Sequence, residues 1–282
     1  MPNYRRWNGG ATAVAQVKTI RFTTSAASDV VTITMTAEDG STQAVTHTVA
    51  DTNNNTTAAA VQAACASSSQ SLFQQVTFTV ATDTVTVTAA LAGRPFTLAV
   101  TDDGSTAYTV ADPTANAGPN DWNTAANWSG STKPASDDLV AFTDGSFDVL
   151  YGLDQSAVVL YQMSVSEGFT GNIGTRNAAL RIQTDASHAD AEQTLNLAGS
   201  GFMYNFSGDF PIVNVSSNRA TLKIAGEISE TNLVGGSVSG NITVDSVDST
   251  TNGNALTVSN VSPACKVVIP STATNTGDIR MD

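Results

Sequence analysis

The chain has 282 residues, 41% of them hydrophobic and only 13% charged, with 12 basic against 25 acidic side chains and a net charge of -13. That length suits two domains. The charge opposes binding to phosphate backbones, where affinity comes from Lys and Arg, and to anionic membranes. About one residue in seven is Thr, whose branched side chain favours strands, and Glu and Lys, the usual surface helix formers, are scarce. The expected fold is mainly β: a small α+β sandwich domain followed by an all-β domain, solenoid or jelly-roll-like.

Residues 1–16 read as an N-terminal arm. Tyr4, Arg5, Arg6 and Trp7 place two aromatics and two cations in a short segment closed by Gly9 and Gly10. No apolar stretch follows the basic pair, so synthesis in a cytoplasm without a cleaved export signal is expected. Residues 17–111 read as the sandwich domain. Val17 to Thr24 alternates, with Lys18, Ile20 and Phe22 on one face; Val30 to Thr36 is a second period-two strand. Glu38-Asp39-Gly40-Ser41 marks a hairpin turn before a strand over residues 43–49. Thr56 or Thr57 is the expected N-cap of the one helix, Ala58 to Ser67, which carries Val61 and Cys65 at i, i+4. Further strands are expected near 73–80, 84–90, 96–100 and 107–110.

Residues 112–120 hold Pro113, Pro119 and Gly118 and read as a linker. From 121 to 282 short apolar runs recur between Gly, Asn and Ser, among them Leu195-Asn196-Leu197, Ile212-Val213-Asn214-Val215 and Asn241-Ile242-Thr243-Val244. No helical periodicity interrupts them, which points to a solenoid or a jelly roll. The irregular rungs favour a right-handed solenoid, although no strict repeat is legible.

The stretch Asn120-Asp121-Trp122-Asn123-Thr124-Ala125-Ala126-Asn127-Trp128-Ser129-Gly130, with Pro134 and Asp137-Asp138-Leu139-Val140-Ala141-Phe142, resembles the opening of β-solenoid domains in bacterial surface proteins and bacteriophage structural proteins. Leu150 to Ser156 and Phe169 to Gly174 are similar to the version in phage and prophage virion proteins, as are Arg6-Trp7-Asn8-Gly9 and Gly93-Arg94-Pro95-Phe96-Thr97-Leu98. The resemblance covers most of the chain and implies a virion building block without a settled activity. The expected function is a non-enzymatic capsid decoration (cement) protein on the outer head surface. Its expected partners are the major capsid protein and further copies of itself, as a trimer or other homo-oligomer, with no nucleic acid, membrane or cofactor. Arg5, Arg6 and Trp7 are the expected anchoring residues, because Arg and Trp dominate interface hot spots. Deleting residues 1–16 should then release the chain from its shell without unfolding it. The alternative is a tail fibre or tailspike module that binds or cleaves host glycan.

Other motifs have plainer readings. Trp122 and Trp128 suit a hydrophobic cap on the β stack better than a sugar platform. His188, Asp190 and Glu192 alternate as metal ligands could, but read as a solvated loop. Asp51 to Asn55 resembles half a calcium loop without its bending Gly, and Gln62 stands where the bidentate Glu would be. Asp185, Asp190, Asp209, Glu227 and Glu230 are the carboxylates from which a glycosidase pair would have to come. Cys65 and Cys265 read as buried thiols. The Asn-x-Ser/Thr triplets at Asn127, Asn205, Asn214 and Asn241 fit the composition without glycosylation.

Overall fold

The computed structural model describes residues 2–184, 194–208, 210–215, 221–225, 228–234, 240–244, 254–259, 265–268 and 278–281, with side chains described up to Phe210. The fold is mainly β, with one α-helix among the described residues. The chain divides into two compact units, one formed by Met1–Ala11 with Pro119–Asp282 and the other by Thr12–Gly118.

The chain opens with a short strand, β1 (Tyr4–Arg6), and then builds the whole of Thr12–Gly118 before returning. This inserted unit contains β2 (Val17–Thr24), β3 (Val30–Thr36), β4 (Thr42–Thr48), α1 (Asn54–Ala66), β5 (Val76–Ala81), β6 (Thr84–Ala89), β7 (Thr97–Asp102) and β8 (Ala107–Thr114). One antiparallel sheet runs β5-β6-β2-β8 and the other β4-β3-β7. The period-two pattern puts Ile20 and Phe22 of β2, and Val31, Ile33 and Met35 of β3, into one core with Ala58, Val61 and Cys65 of the helix. The expected hairpin is present. Gly40 takes φ +82°, and Asp39 Oδ1 accepts from the Ser41 N–H and hydroxyl.

Three boundaries differ from expectation. The helix begins earlier: Asn53, not Thr56 or Thr57, is its N-cap, its Oδ1 accepting from the Asn55 N–H, while Thr57 is buried inside the first turns. The linker is largely structure. β8 runs through Asp112 and Pro113, Lys18 pairs with Asp112, and the Val14 N–H donates to the Ala117 carbonyl at 2.7 Å. Pro113 is tolerated because β8 is an edge strand, where a missing N–H breaks no ladder. Gly118 is a packing residue: a Cβ there would come within 2.6 Å of the Gly93 Cα. The arm also divides, since Gln16 belongs to the inserted unit, accepting from the Ala89 and Phe96 N–H groups.

The second unit is a parallel β-solenoid, not a jelly roll. Its strands are β9 (Leu139–Gly145), β10 (Asp154–Leu160), β11 (Gln162–Phe169), β12 (Leu180–Thr184), β13 (Thr194–Leu197), β14 (Met203–Ser207), β15 (Phe210–Val215), β16 (Thr221–Ala225), β17 (Ile228–Val234), β18 (Gly240–Val244), β19 (Asn254–Ser259), β20 (Cys265–Val268) and β21 (Asp278–Met281). They alternate between two sheets, β1-β9-β11-β13-β15-β17-β19-β21 and β10-β12-β14-β16-β18-β20. Every pairing within both sheets is parallel, whereas a jelly roll is antiparallel. Val140, Met163 and Leu195 share one register column, Phe142, Val165 and Leu197 the next, and all six are buried.

Replacing Asn53 by Ala should cost about 1 kcal/mol, the usual loss for an N-cap. Thermal unfolding should show it as a lowered midpoint with the β signal intact. Gly208→Ala should cost more, because Gly208 sits at φ +154° and a Cβ would collide with the Ile182 carbonyl oxygen.

Candidate functional site

The residues singled out for anchoring converge on the first coil of the solenoid. Two 3₁₀ turns, Ala125–Asn127 and Ser129–Ser131, fold the Trp122 to Ser131 stretch so that Trp122 and Trp128 meet edge to face at 4.6 Å. Trp7 adds a third indole, 5.0 Å from Trp128 at 71°, and Phe142 and Phe169 continue the stack at 5.1 Å. All five rings are buried. Edge-to-face pairs at these separations suit the quadrupoles of the rings. The Trp7 Nε1–H donates to the Phe147 carbonyl at 3.0 Å, and that of Trp128 to the Trp122 carbonyl at 2.8 Å. With no exposed face, the Trp122 and Trp128 pair offers no platform for a sugar; it closes the core.

Around the rings the opening segment is held by two buried polar residues. Asn127 donates from Nδ2 to the Asp121 carbonyl. Its Oδ1 accepts from the Ala11 N–H at 2.9 Å, and its own carbonyl accepts from the Asn8 N–H at 2.7 Å and the Gly9 N–H at 3.2 Å. Asp138 accepts from Asn3 Nδ2, Arg5 Nε and the Ala135 N–H, each at 3.0 Å. Burial opposes the charge of Asp138, but these hydrogen bonds outweigh it and hold the carboxyl below its ordinary value.

This placement corrects the anchoring assignment. Trp7 is 1% exposed, and Arg5 is turned to Asp138. Arg6 alone of the three presents its side chain outward, beside Tyr4, with Nε donating to Asn8 Oδ1. Nor is the segment a dispensable arm: β1 is the first strand of the eight-stranded sheet, in register with β9 as Tyr4↔Leu139, Arg5↔Val140 and Arg6↔Ala141. Deleting it would remove that strand and the third indole together. The signal available in the sequence was the buried type of Trp7 itself, together with Asn127 and Asp138.

Two surfaces went unforeseen. On the outer face of the three-stranded sheet of the inserted unit, Thr46, Thr32 and Thr101 lie in one row, Ala44, Thr34 and Ala99 in the next, and Thr42, Thr36 and Thr97 in the third. The rows carry no charge, and the strands run about 4.8 Å apart. At one corner of the solenoid, Phe147 is 45% and Phe202 79% exposed. Beneath them Asp148 Oδ1 accepts from Asn172, whose own Oδ1 accepts from the Phe202 and Met203 N–H groups.

The remaining candidates disperse. Asp51 accepts from the Asn53 N–H in the loop before the helix. Burial pushes the Cys65 thiol up to about 12, which makes it a poor nucleophile. Asn127 and Asn205 are buried, out of reach of glycosylation. Among the described residues no three His, Cys, Asp or Glu side chains form a metal-binding group, and no helix is long and apolar enough to cross a membrane. Asp185, His188, Asp190, Glu192, Asp209 and Glu227 lie outside the described residues, as do the side chains of Asn214, Glu230, Asn241 and Cys265. No family model matches the chain, and no curated protein or solved structure matches it.

Trp7→Ala should cost about 3–5 kcal/mol in denaturant unfolding, as a buried aromatic does. The pH dependence has a definite sign. Stability from Asp138 is complete above the carboxyl's unfolded value and is lost as pH falls through its lower folded value. Asp138→Asn should therefore lower stability at neutral pH and flatten its decline in acid, measured as urea midpoints across the acid range.

Proposed function

We propose that this chain is a non-enzymatic structural protein of a bacteriophage virion. In this reading it is a decoration protein, made in the host cytoplasm, that binds the major capsid protein on the outer head surface and stabilises the shell. The observation that carries the reading is the hydroxyl face of the inserted unit: seven Thr and two Ala in three rows across three paired strands. Thr is stiff at χ1, so the face is ordered before any partner arrives and little side-chain entropy is lost on contact. It carries no charge in a chain of net charge -13, which makes it the place where acidic surfaces can approach. Each such contact is weak, and repetition over a symmetric shell multiplies it. The same net charge keeps the protein off the packaged genome.

The resemblance of residues 120–142 to the opening of phage β-solenoid domains supports this reading. So does the self-contained character of the solenoid, whose first coil is closed by the chain's own indoles. Homo-oligomers, a trimer among them, fit a decoration role at symmetry axes.

A tail-fibre module that binds host glycan is the second reading. Phe147 and Phe202 favour it, since exposed aromatic rings stack on sugars. Copy number separates the two. Quantitative mass spectrometry of purified virions should find this chain in numbers comparable to the major capsid protein. A handful of copies per particle would overturn the decoration reading and favour the tail.

A further inference from the structure

We propose that the groove at the first coil of the solenoid is a binding site for residues 2–11 of a second copy of this chain, so that copies can exchange their opening strand. The inference stands on the geometry of the groove and is independent of the virion reading.

The first observation is chemical fit. The segment places Asn3 and Arg5 on Asp138, the Trp7 ring against Trp128, the Trp7 Nε1–H on the Phe147 carbonyl, and the N–H groups of Asn8, Gly9 and Ala11 on Asn127. Backbone ladder, buried ring and half-buried ion pair together specify one short basic and aromatic sequence. Charge points the same way: two of the twelve basic residues stand side by side here, in a chain with 25 acidic ones.

The second observation is connectivity. The segment ends at Ala11, and its unit resumes only at Pro119, so the whole inserted unit separates the strand from its groove along the chain. The third is the small extent of what must open. β1 is three residues long and pairs, among the described strands, with β9 alone, and Gly9 and Gly10, just after Trp7, take φ +61° and +76°. The contacts are the same whichever copy supplies the strand, so their energies cancel. Effective concentration then decides between the two arrangements. A high local concentration of copies shifts the balance toward exchange.

The test uses a fluorescent synthetic peptide of residues 2–11 and the full chain carrying a protease site between Ala11 and Thr12. The uncut chain should capture little peptide. After folding and cutting, it should exchange its own segment for the labelled one. A peptide with Trp7→Ala should bind at least about a hundredfold more weakly. A cut chain that keeps its circular dichroism spectrum yet captures no peptide, or captures both peptides alike, overturns the proposal. If cutting abolishes the spectrum, excess peptide should restore it, and failure to do so counts against the proposal. Full-length Trp7→Ala gives an independent route: it should capture the unmodified peptide where the parent chain does not, and equal capture by both contradicts the exchange site.

Discussion

A parallel stack of strands must begin somewhere, and its first strand leaves both an unpaired edge and an open interior. In this chain the interior is closed by the seating of Trp7 against Trp128 and Phe142, and the edge is kept to a three-residue strand, β1, paired with β9. The rings fill the interior of the first coil, and β1 extends the sheet by one short strand. Asn127 and Asp138 are buried, and both accept hydrogen bonds from this segment. The core that follows, from Phe142 through Phe169 to Phe206 and Phe210, builds outward from this closed end.

Beyond the first coil, regularity comes from register. Leu195 pairs with Val213 and Val213 with Thr231, so these coils advance by eighteen residues, with Asn196, Asn214 and Asn232 sharing one column. Elsewhere the advance is longer: Val140 pairs with Met163, Met163 with Leu195, and Thr231 with Leu256. A solenoid absorbs such differences in its turns, because each coil needs only its neighbours' strands in register. The scaffold therefore stays constant while its corners vary, as at Phe147 and Phe202.

Much of the inserted unit was legible. The strands Val17–Thr24 and Val30–Thr36 follow from alternation alone, and the Asp39-Gly40 hairpin from turn chemistry. The closing role of Trp122 and Trp128 was legible from their type and spacing. What escaped the sequence was long-range. Nothing local says that Tyr4–Arg6 pairs with residues 139–141, so the segment reads as an arm. Pro113 reads as a breaker until β8 is known to be an edge strand. Asn53 was overlooked as a cap because Asn54 and Asn55 blur the start of the helix. The eighteen-residue spacing of Leu195-Asn196-Leu197 and Val213-Asn214-Val215 is present in the sequence, but the longer coils on either side hide it.

The inserted, hydroxyl-faced sandwich interrupts a chain in which Trp7 completes the solenoid core. The pairing of β1 with β9 makes Tyr4–Arg6 a strand of the eight-stranded sheet. Native-state hydrogen exchange tests this most directly. The amides of Trp7, Asn8 and Ala11 donate to the Ala141 carbonyl, the Asn127 carbonyl and Asn127 Oδ1, and should be protected together with the β9 to β11 ladder. Exchange at the rate of an unstructured terminus, while that ladder stays protected, would contradict the account.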